Sequence, residues 1–255
     1  MSLSGLFLCT FLLGHVSGNF QLLIPGFAGK MQFNQYAVFM TTNPAVKVLS
    51  YLTYFSILLH VVYAIILNQR NKAARPVAYA YSKPGSSSSW SSRNMVVLGV
   101  VILAFIAFHL ADFWYEYKFA EMPYMETEAG DGYVAKSGQP YPGATVEDGM
   151  IVFNGTVIEP AMKDLHEEVL EAFSNWYLML FYVIVMGFIA FHLVHGVSSG
   201  FQSLGVNHPK YTPWIKKISM GFGVVVPAAF AVIAIACFLL GTESEAGYLI
   251  IKPLF

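Results

Sequence analysis

The sequence is short of charge. Only 11% of its 255 residues are Asp, Glu, Lys or Arg, where a soluble globular domain carries about 25%. The 14 basic and 15 acidic side chains leave a formal net charge of -1, so there is no basic footprint for a nucleic acid. Cysteine is scarce too. Cys9 and Cys237 both lie in apolar runs, which excludes a disulfide-stapled secreted module and argues against a structural disulfide. No Asp or Glu occurs before Asp112. In place of charge stand apolar side chains, 56% of the chain, at a mean hydropathy of +0.56. Such a composition excludes intrinsic disorder and marks an integral membrane protein.

Five apolar stretches, residues 3–24, 46–67, 95–117, 174–199 and 218–241, each reach the length of about 20 residues that a helix needs to cross a bilayer. None alternates with period two. A helix is also the one single segment that satisfies its own backbone in lipid. The expected fold class is therefore an all-α membrane protein, a bundle of five transmembrane helices forming one domain over residues 1–255. Pro227 is expected to kink the fifth span. The first stretch is the one with a rival reading, as a secretory signal peptide. It lacks a basic leader and a small-x-small cleavage site, and is taken as a span.

The connections carry the orientation. Arg70, Lys72, Arg75, Lys83 and Arg93 lie between spans two and three with no acid, and Lys210, Lys216 and Lys217 lie between spans four and five. Most acids, including Glu116, Glu121, Glu126, Glu128, Asp131, Glu147 and Asp148, fall between spans three and four. The positive-inside rule then places the N-terminus in the cytoplasm, and residues 118–173 and the C-terminus outside it. Within that extracytoplasmic loop, residues 150–158 read as a hairpin around Asn154-Gly155. Residues 160–173 read as a short helix with Glu167 and Glu168 on its wet side, the whole forming a solvated cap. Residues 84–92 read as a flexible linker.

Seven histidines are present and five fall within spans: His15, His60, His109, His192 and His195. An ionisable side chain in the membrane is a functional-site hypothesis by default, the bland alternative being a neutral imidazole bonded to a neighbouring helix's carbonyl. Depth sorts them. His60 and His192 each lie about seven residues from the cytoplasmic ends of their spans, and His15 and His109 about 13 residues in from theirs. At 1.5 Å per residue the two levels stand roughly 10 Å or more apart. An inner pair, His60 with His192, and an outer pair, His15 with His109, each join two helices.

Two neutral imidazoles from facing helices are the ligand set of a six-coordinate haem iron, which carries electrons and leaves no site for oxygen. No Cys-x-x-Cys-His occurs, so attachment would be non-covalent and b-type. Small neighbours such as Gly18, Ala64 and Gly196 leave room for a macrocycle edge, although they also serve ordinary helix packing. Zinc or di-metal chemistry, and proton-coupled transport, would want carboxylates at the same level, and these are missing. His195 shares a face with His192, one turn nearer the cytoplasm, and could replace it as ligand; the depth of His192 matches His60 better, which leaves His195 to bond a haem propionate or face the cytoplasmic surface. His166 and His208 are expected in loops, without a role.

Several runs carry a resemblance. Gly5-Leu6-Phe7-Leu8 followed by Gly14-His15 and Asn19 resembles the first helix of the cytochrome b membrane anchors of succinate:quinone oxidoreductases, the single-chain, five-helix, two-haem type. Residues 54–70 around His60 resemble the second, and Phe108-His109 with Trp114 the third. Phe191-His192-Leu193-Val194-His195-Gly196, with Phe201-Gln202-Ser203-Leu204-Gly205, resembles the fourth, particularly in anchors of Bacteroidetes-type bacteria.

The resemblance implies two stacked haem b groups, with His15 and His109 on the outer iron and His60 and His192 on the inner. His195, Gly18, Asn19 and Gly196 would lie beside them. It also implies a flavoprotein subunit bearing FAD and an iron–sulfur subunit on the cytoplasmic face of a bacterial inner membrane, with a quinone, usually menaquinone, as acceptor. Succinate chemistry would belong to the partner, since the chain has no flavin motif. Where fumarate reductases of the family can carry a glutamate two residues before the fourth ligand, this chain has Ala190, which favours succinate oxidation. Two other classes stay open: the cytochrome b subunit of a hydrogenase or formate dehydrogenase, and a haem-free membrane assembly or transport protein.

Overall fold

Two of the long helices begin behind an asparagine. Asn43 Oδ1 accepts from the amides of Ala45 (2.9 Å) and Val46 (3.3 Å). Pro44 then fills the first helical position, where its missing N–H costs nothing. Asn175 Oδ1 accepts from the Tyr177 amide at 3.0 Å and starts the fourth span in the same way. That span ends as cleanly. Gly205 takes φ 84°, the Gly205 amide reaches Gln202 O at 3.0 Å and the Val206 amide reaches Phe201 O at 3.1 Å, a Schellman closure that only a residue at ease with positive φ completes readily.

These details come from a computed structural model that describes residues 1–74, 77 and 88–251, with backbone alone over 242–251. The chain is mostly helical. In order come α1 (Ser2–Asn19), a 3-10 turn (Phe20–Leu23), α2 (Gly26–Thr42), α3 (Pro44–Ala73) and a single turn at Trp90–Arg93. Then α4 (Met95–His109) runs into a π-helical segment (Leu110–Tyr115) and one further turn (Glu116–Phe119). After five short strands follow α5 (Leu165–Ser174), α6 (Trp176–Ser203) and α7 (Thr212–Ile251). Among the described residues five helices are long and apolar enough to cross a membrane: Ser2–Leu23, Pro44–Ala73, Met95–Phe119, Trp176–Ser203 and Thr212–Gly241. They fall on the five apolar stretches of the sequence. The fifth continues as helix through Pro227. Residues 84–87 of the 84–92 linker lie outside the described residues, and its end enters the turn at Trp90–Arg93.

The chain divides into two compact units. The first comprises Met1–Val16, Val48–Ala107 and Tyr182–Ala231. Its helices meet through small residues and ring edges. A Cβ on Gly223 would stand 2.6 Å from the Val194 backbone nitrogen, and one on Gly200 would meet Leu6 at 3.5 Å. Close approach of this kind gives van der Waals packing where lipid supplies no hydrophobic drive. Phe105 and Tyr182 meet edge to face at 4.9 Å, and Trp90 and Phe191 at 5.4 Å.

The second unit comprises Ser17–Lys47, Phe108–Phe181 and Val232–Phe255. Strands β1 (Gly132–Val134) and β2 (Pro140–Pro142) pair antiparallel, as do β3 (Thr145–Glu147), β4 (Met150–Phe153) and β5 (Thr156–Pro160) in the order β3-β4-β5. The expected hairpin is the β4–β5 pair. Phe153 faces Thr156, and Asn154 and Gly155 both take positive φ, 52° and 74°, as a type I′ turn requires. Buried Met125, Val134 and Met162 pack on Phe27, Met31 and Val38 of α2.

The short helix differs from expectation: it starts at Leu165 because Pro160 still belongs to β5 and Asp164 is the N-cap, its Oδ1 accepting from the Glu167 amide at 3.1 Å. His166, expected in a loop, lies buried on this helix.

A polar knot ties α5 to α2. Asn34, fully buried, donates from Nδ2 to Asp164 Oδ1 at 2.8 Å and accepts the His166 amide on Oδ1 at 2.9 Å. Lys30, one turn away, reaches Asp164 at 2.7 Å and Glu167 at 2.9 Å. Burial works against the Lys30 ammonium, but the hydrogen bonds and charges of Asp164 and Glu167 outweigh it and hold its pKa above the ordinary value. His166 is pushed the other way. Burial lowers its pKa, against the pull of the Asp164 charge; Lys30 lowers it further and Glu167 raises it.

Lys30→Met leaves Asp164, 4% exposed at its side chain, without its cation. The expected loss is about 2 kcal/mol, below the figure for a fully buried pair because Lys30 keeps some exposure. Chemical denaturation in detergent, followed by hydrogen exchange over residues 120–173, reads it. The unfolded His166 takes up a proton near pH 6.5, while the folded imidazole, its pKa lowered, resists it. Stability contributed by this group is therefore present at pH 7.5 and falls as pH drops through the unfolded value. His166→Leu should flatten that part of the pH dependence between 7.5 and 5.5.

Candidate functional site

His60 sits in the middle of α3 and His192 in the middle of α6, both within the first unit. Their ring centroids are 6.3 Å apart, with ring planes 60° from each other. The pair that depth counting singled out is thus brought face to face. The separation has chemical content. With metal–imidazole nitrogen bonds of about 2 Å on each side, two rings bound to one metal have centroids about 6 Å apart. Each ring plane need only contain its own metal–nitrogen bond, so a difference of 60° between planes is no obstacle. His192 Nδ1 is buried and has no hydrogen-bond partner among the described residues. An imidazole tied to a neighbouring helix's carbonyl through that nitrogen is not what the structure holds. A Cβ on Gly196, one turn on, would meet nothing within 4 Å. A pair of imidazoles at metal-bridging separation, beside open space, fits a haem iron and its macrocycle edge.

The first turn of α1 closes on the other side of His60. Ser4, 6% exposed, donates its hydroxyl hydrogen to Met1 O at 2.8 Å, and its Oγ lies 3.4 Å from His60 Nδ1. A Cβ on the next residue, Gly5, would stand 3.1 Å from His60 Cε1. Gly5 is therefore a seat for the ring. Neither residue's part was legible locally; the one signal was a pair of small residues at the start of an otherwise bulky apolar span.

His15 lies near the end of α1, stacked on Phe11 (5.5 Å, 13°) and tilted against Phe230 (5.4 Å, 40°) in the first unit. His109 belongs to the second unit, as the last α-helical residue before the π-helical segment, with Phe113 at 5.5 Å. Widened turns of this type collect at functional sites, and this one was not legible in the apolar pattern. His195 is half-buried one turn from His192. Gly18 has a local reason to be glycine: a Cβ there would stand 2.6 Å from the Tyr36 ring of α2. Asn19 is the last residue of α1. His208 is in the loop before α7, where its Nδ1 accepts the Lys210 amide at 3.1 Å.

Comparison of the chain with protein-family models, with curated proteins and with solved structures returns no match in any of the three.

Filling the seat under His60 tests the pair. The Gly5→Val side chain drives into the ring, and if the pair holds a b-type haem, the amount bound, measured by the pyridine haemochrome method on purified protein, should fall by about one per polypeptide. Gly5→Ala, which asks the ring to give by only a few tenths of an ångström, should keep most of it.

Proposed function

We propose that this chain is a di-haem cytochrome b, the membrane anchor of a succinate:quinone oxidoreductase, which passes electrons from an iron–sulfur partner to a quinone. The observation that carries the proposal is the 6.3 Å separation of the His60 and His192 rings from two different helices. The five spans, the absence of acids before Asp112 and the order of the four motif-bearing helices support it.

When bound, two haems would supply one-electron carriers with no open position for oxygen. The chain's own residues hold and shield them. His60 and His192 would ligate the inner iron, and His15 and His109 the outer one. Phe11 and Phe230 wall the His15 ring and keep water from it. Gly5 seats the His60 ring, and Gly196 leaves open space that a flat ring system could use. His195 would face a propionate at the cytoplasmic end. The basic loops containing Arg70 and Lys72, and Lys216 and Lys217, would lie on the cytoplasmic side, where an iron–sulfur subunit and its FAD-bearing neighbour dock. The strand-rich segment would lie on the opposite side of a bacterial inner membrane. Succinate oxidation would take place on the partner and quinone reduction, probed with menaquinone analogues, here.

A reduced-minus-oxidised visible spectrum of the protein, purified with its native partners, tests this. Dithionite should reveal about two b haems per polypeptide, and succinate should reduce at least one. A colourless preparation would overturn the ligand assignments. Two haems unresponsive to succinate but reduced by hydrogen or formate would move the chain to a different dehydrogenase.

A further inference from the structure

We infer that Ser4 is a positioning residue for His60, fixing the imidazole as the tautomer with its proton on Nδ1 and so leaving Nε2 as the bare electron pair. The inference about tautomer stands on the hydrogen bonds alone; its consequence for a bound haem rests on the function proposed above.

A serine hydroxyl has one hydrogen to give. At Ser4 it is spent on Met1 O, 2.8 Å away. With its hydrogen on Met1 O, the same oxygen faces His60 Nδ1 at 3.4 Å as an acceptor, the Met1 carbonyl is a second acceptor at this ring, and we assign the hydrogen to the ring nitrogen that faces them. A neutral imidazole has one such nitrogen, so Nε2 is left as acceptor or ligand. The contact is long for a hydrogen bond, but it is held from two sides. Ser4 is buried, and glycine at position 5 leaves room for the same ring, since a Cβ there would stand 3.1 Å from His60 Cε1. The opposing ring has no such support, since His192 Nδ1 is buried without a partner. The pair is therefore asymmetric, with one imidazole oriented by a second-layer hydrogen bond and one not.

The asymmetry has an electronic consequence. A metal-bound imidazole whose distal N–H donates to an acceptor is the more basic ligand, and a more basic ligand favours the higher oxidation state of the metal. The Ser4 hydroxyl thus holds the inner haem toward its ferric form. Removing the acceptor moves the balance toward ferrous iron and raises the potential of that centre.

Two readouts test this on the full-length chain. In haem-depleted protein reconstituted in bilayers, solid-state nitrogen NMR of labelled histidine, with His60 assigned by comparison with His60→Gln, should show the proton on Nδ1. Free imidazoles prefer the other tautomer, and Ser4→Ala, which leaves the Met1 carbonyl beside the ring, should shift His60 part of the way to it. In the haem-loaded complex, optical redox titration of Ser4→Ala should change the ferric-to-ferrous ratio of one haem at fixed potential by about threefold toward ferrous. That is about 28 mV at 59 mV per tenfold for one electron. Ser4→Thr, which keeps the hydroxyl, should hold both readouts at wild-type values. Ser4→Cys, a weaker acceptor, should move them in the same direction as alanine by less, and serves if the alanine variant does not assemble. A proton on Nε2 in the wild-type chain overturns the proposal, as does a potential indifferent to all three substitutions. A chain that binds no haem would instead overturn the proposed function, while the NMR result still decides the tautomer.

Discussion

Polar groups placed among apolar helices must be satisfied by the protein itself, because neither lipid nor a neighbouring leucine offers a hydrogen bond. The helical backbones meet this demand residue by residue, and asparagine caps and a Schellman closure extend it to the helix ends examined above. The imidazoles cannot meet it alone. His60 has a serine on one nitrogen, whereas His192 has a buried nitrogen without any protein partner. The two rings, brought from different helices to the separation that one shared metal would require, are what supports haem ligation.

The two compact units are held by different physics. The first relies on close helix contact, with glycines where backbones nearly touch and aromatic edges between them. The second contains short strands that could not stand alone, and it relies on a buried network in which one carboxylate serves as helix cap, ion-pair partner and acceptor for a buried amide. Asp164 is affordable in that position because Lys30, Asn34 and the first turn of α5 surround it; each removes part of the cost of burying its charge.

The five long helices were legible because a bilayer imposes a length on any apolar run that crosses it, and length survives without knowledge of tertiary contacts. The β4–β5 hairpin was legible because Asn-Gly demands a specific backbone. Helix α2 was not anticipated: glycines at 26 and 29 and its mixed polarity obscure the pattern, although Gly29 is required where a Cβ would strike Ile24 O at 2.0 Å. Strands of three residues are too short to show alternation. The start of α5 was misplaced because its cap, Asp164, gains its meaning from Asn34 and Lys30, 130 or more residues earlier in the chain. At the candidate site, counting depth brought His60 and His192 together, since rise per residue converts sequence position to height. Ser4 and Gly5 stayed hidden because their role lies in what they touch.

The π-helical segment behind His109 separates two registers of one continuous span. In a regular helix each residue advances the face by about 100°, so moving an upstream side chain would swing everything after it. A widened turn absorbs such a step locally. The direction of His109 and the directions of Trp114 and Tyr115 are thereby uncoupled. The stretch of this span that follows the widened turn can gain or lose a residue while the imidazole before it keeps its aim.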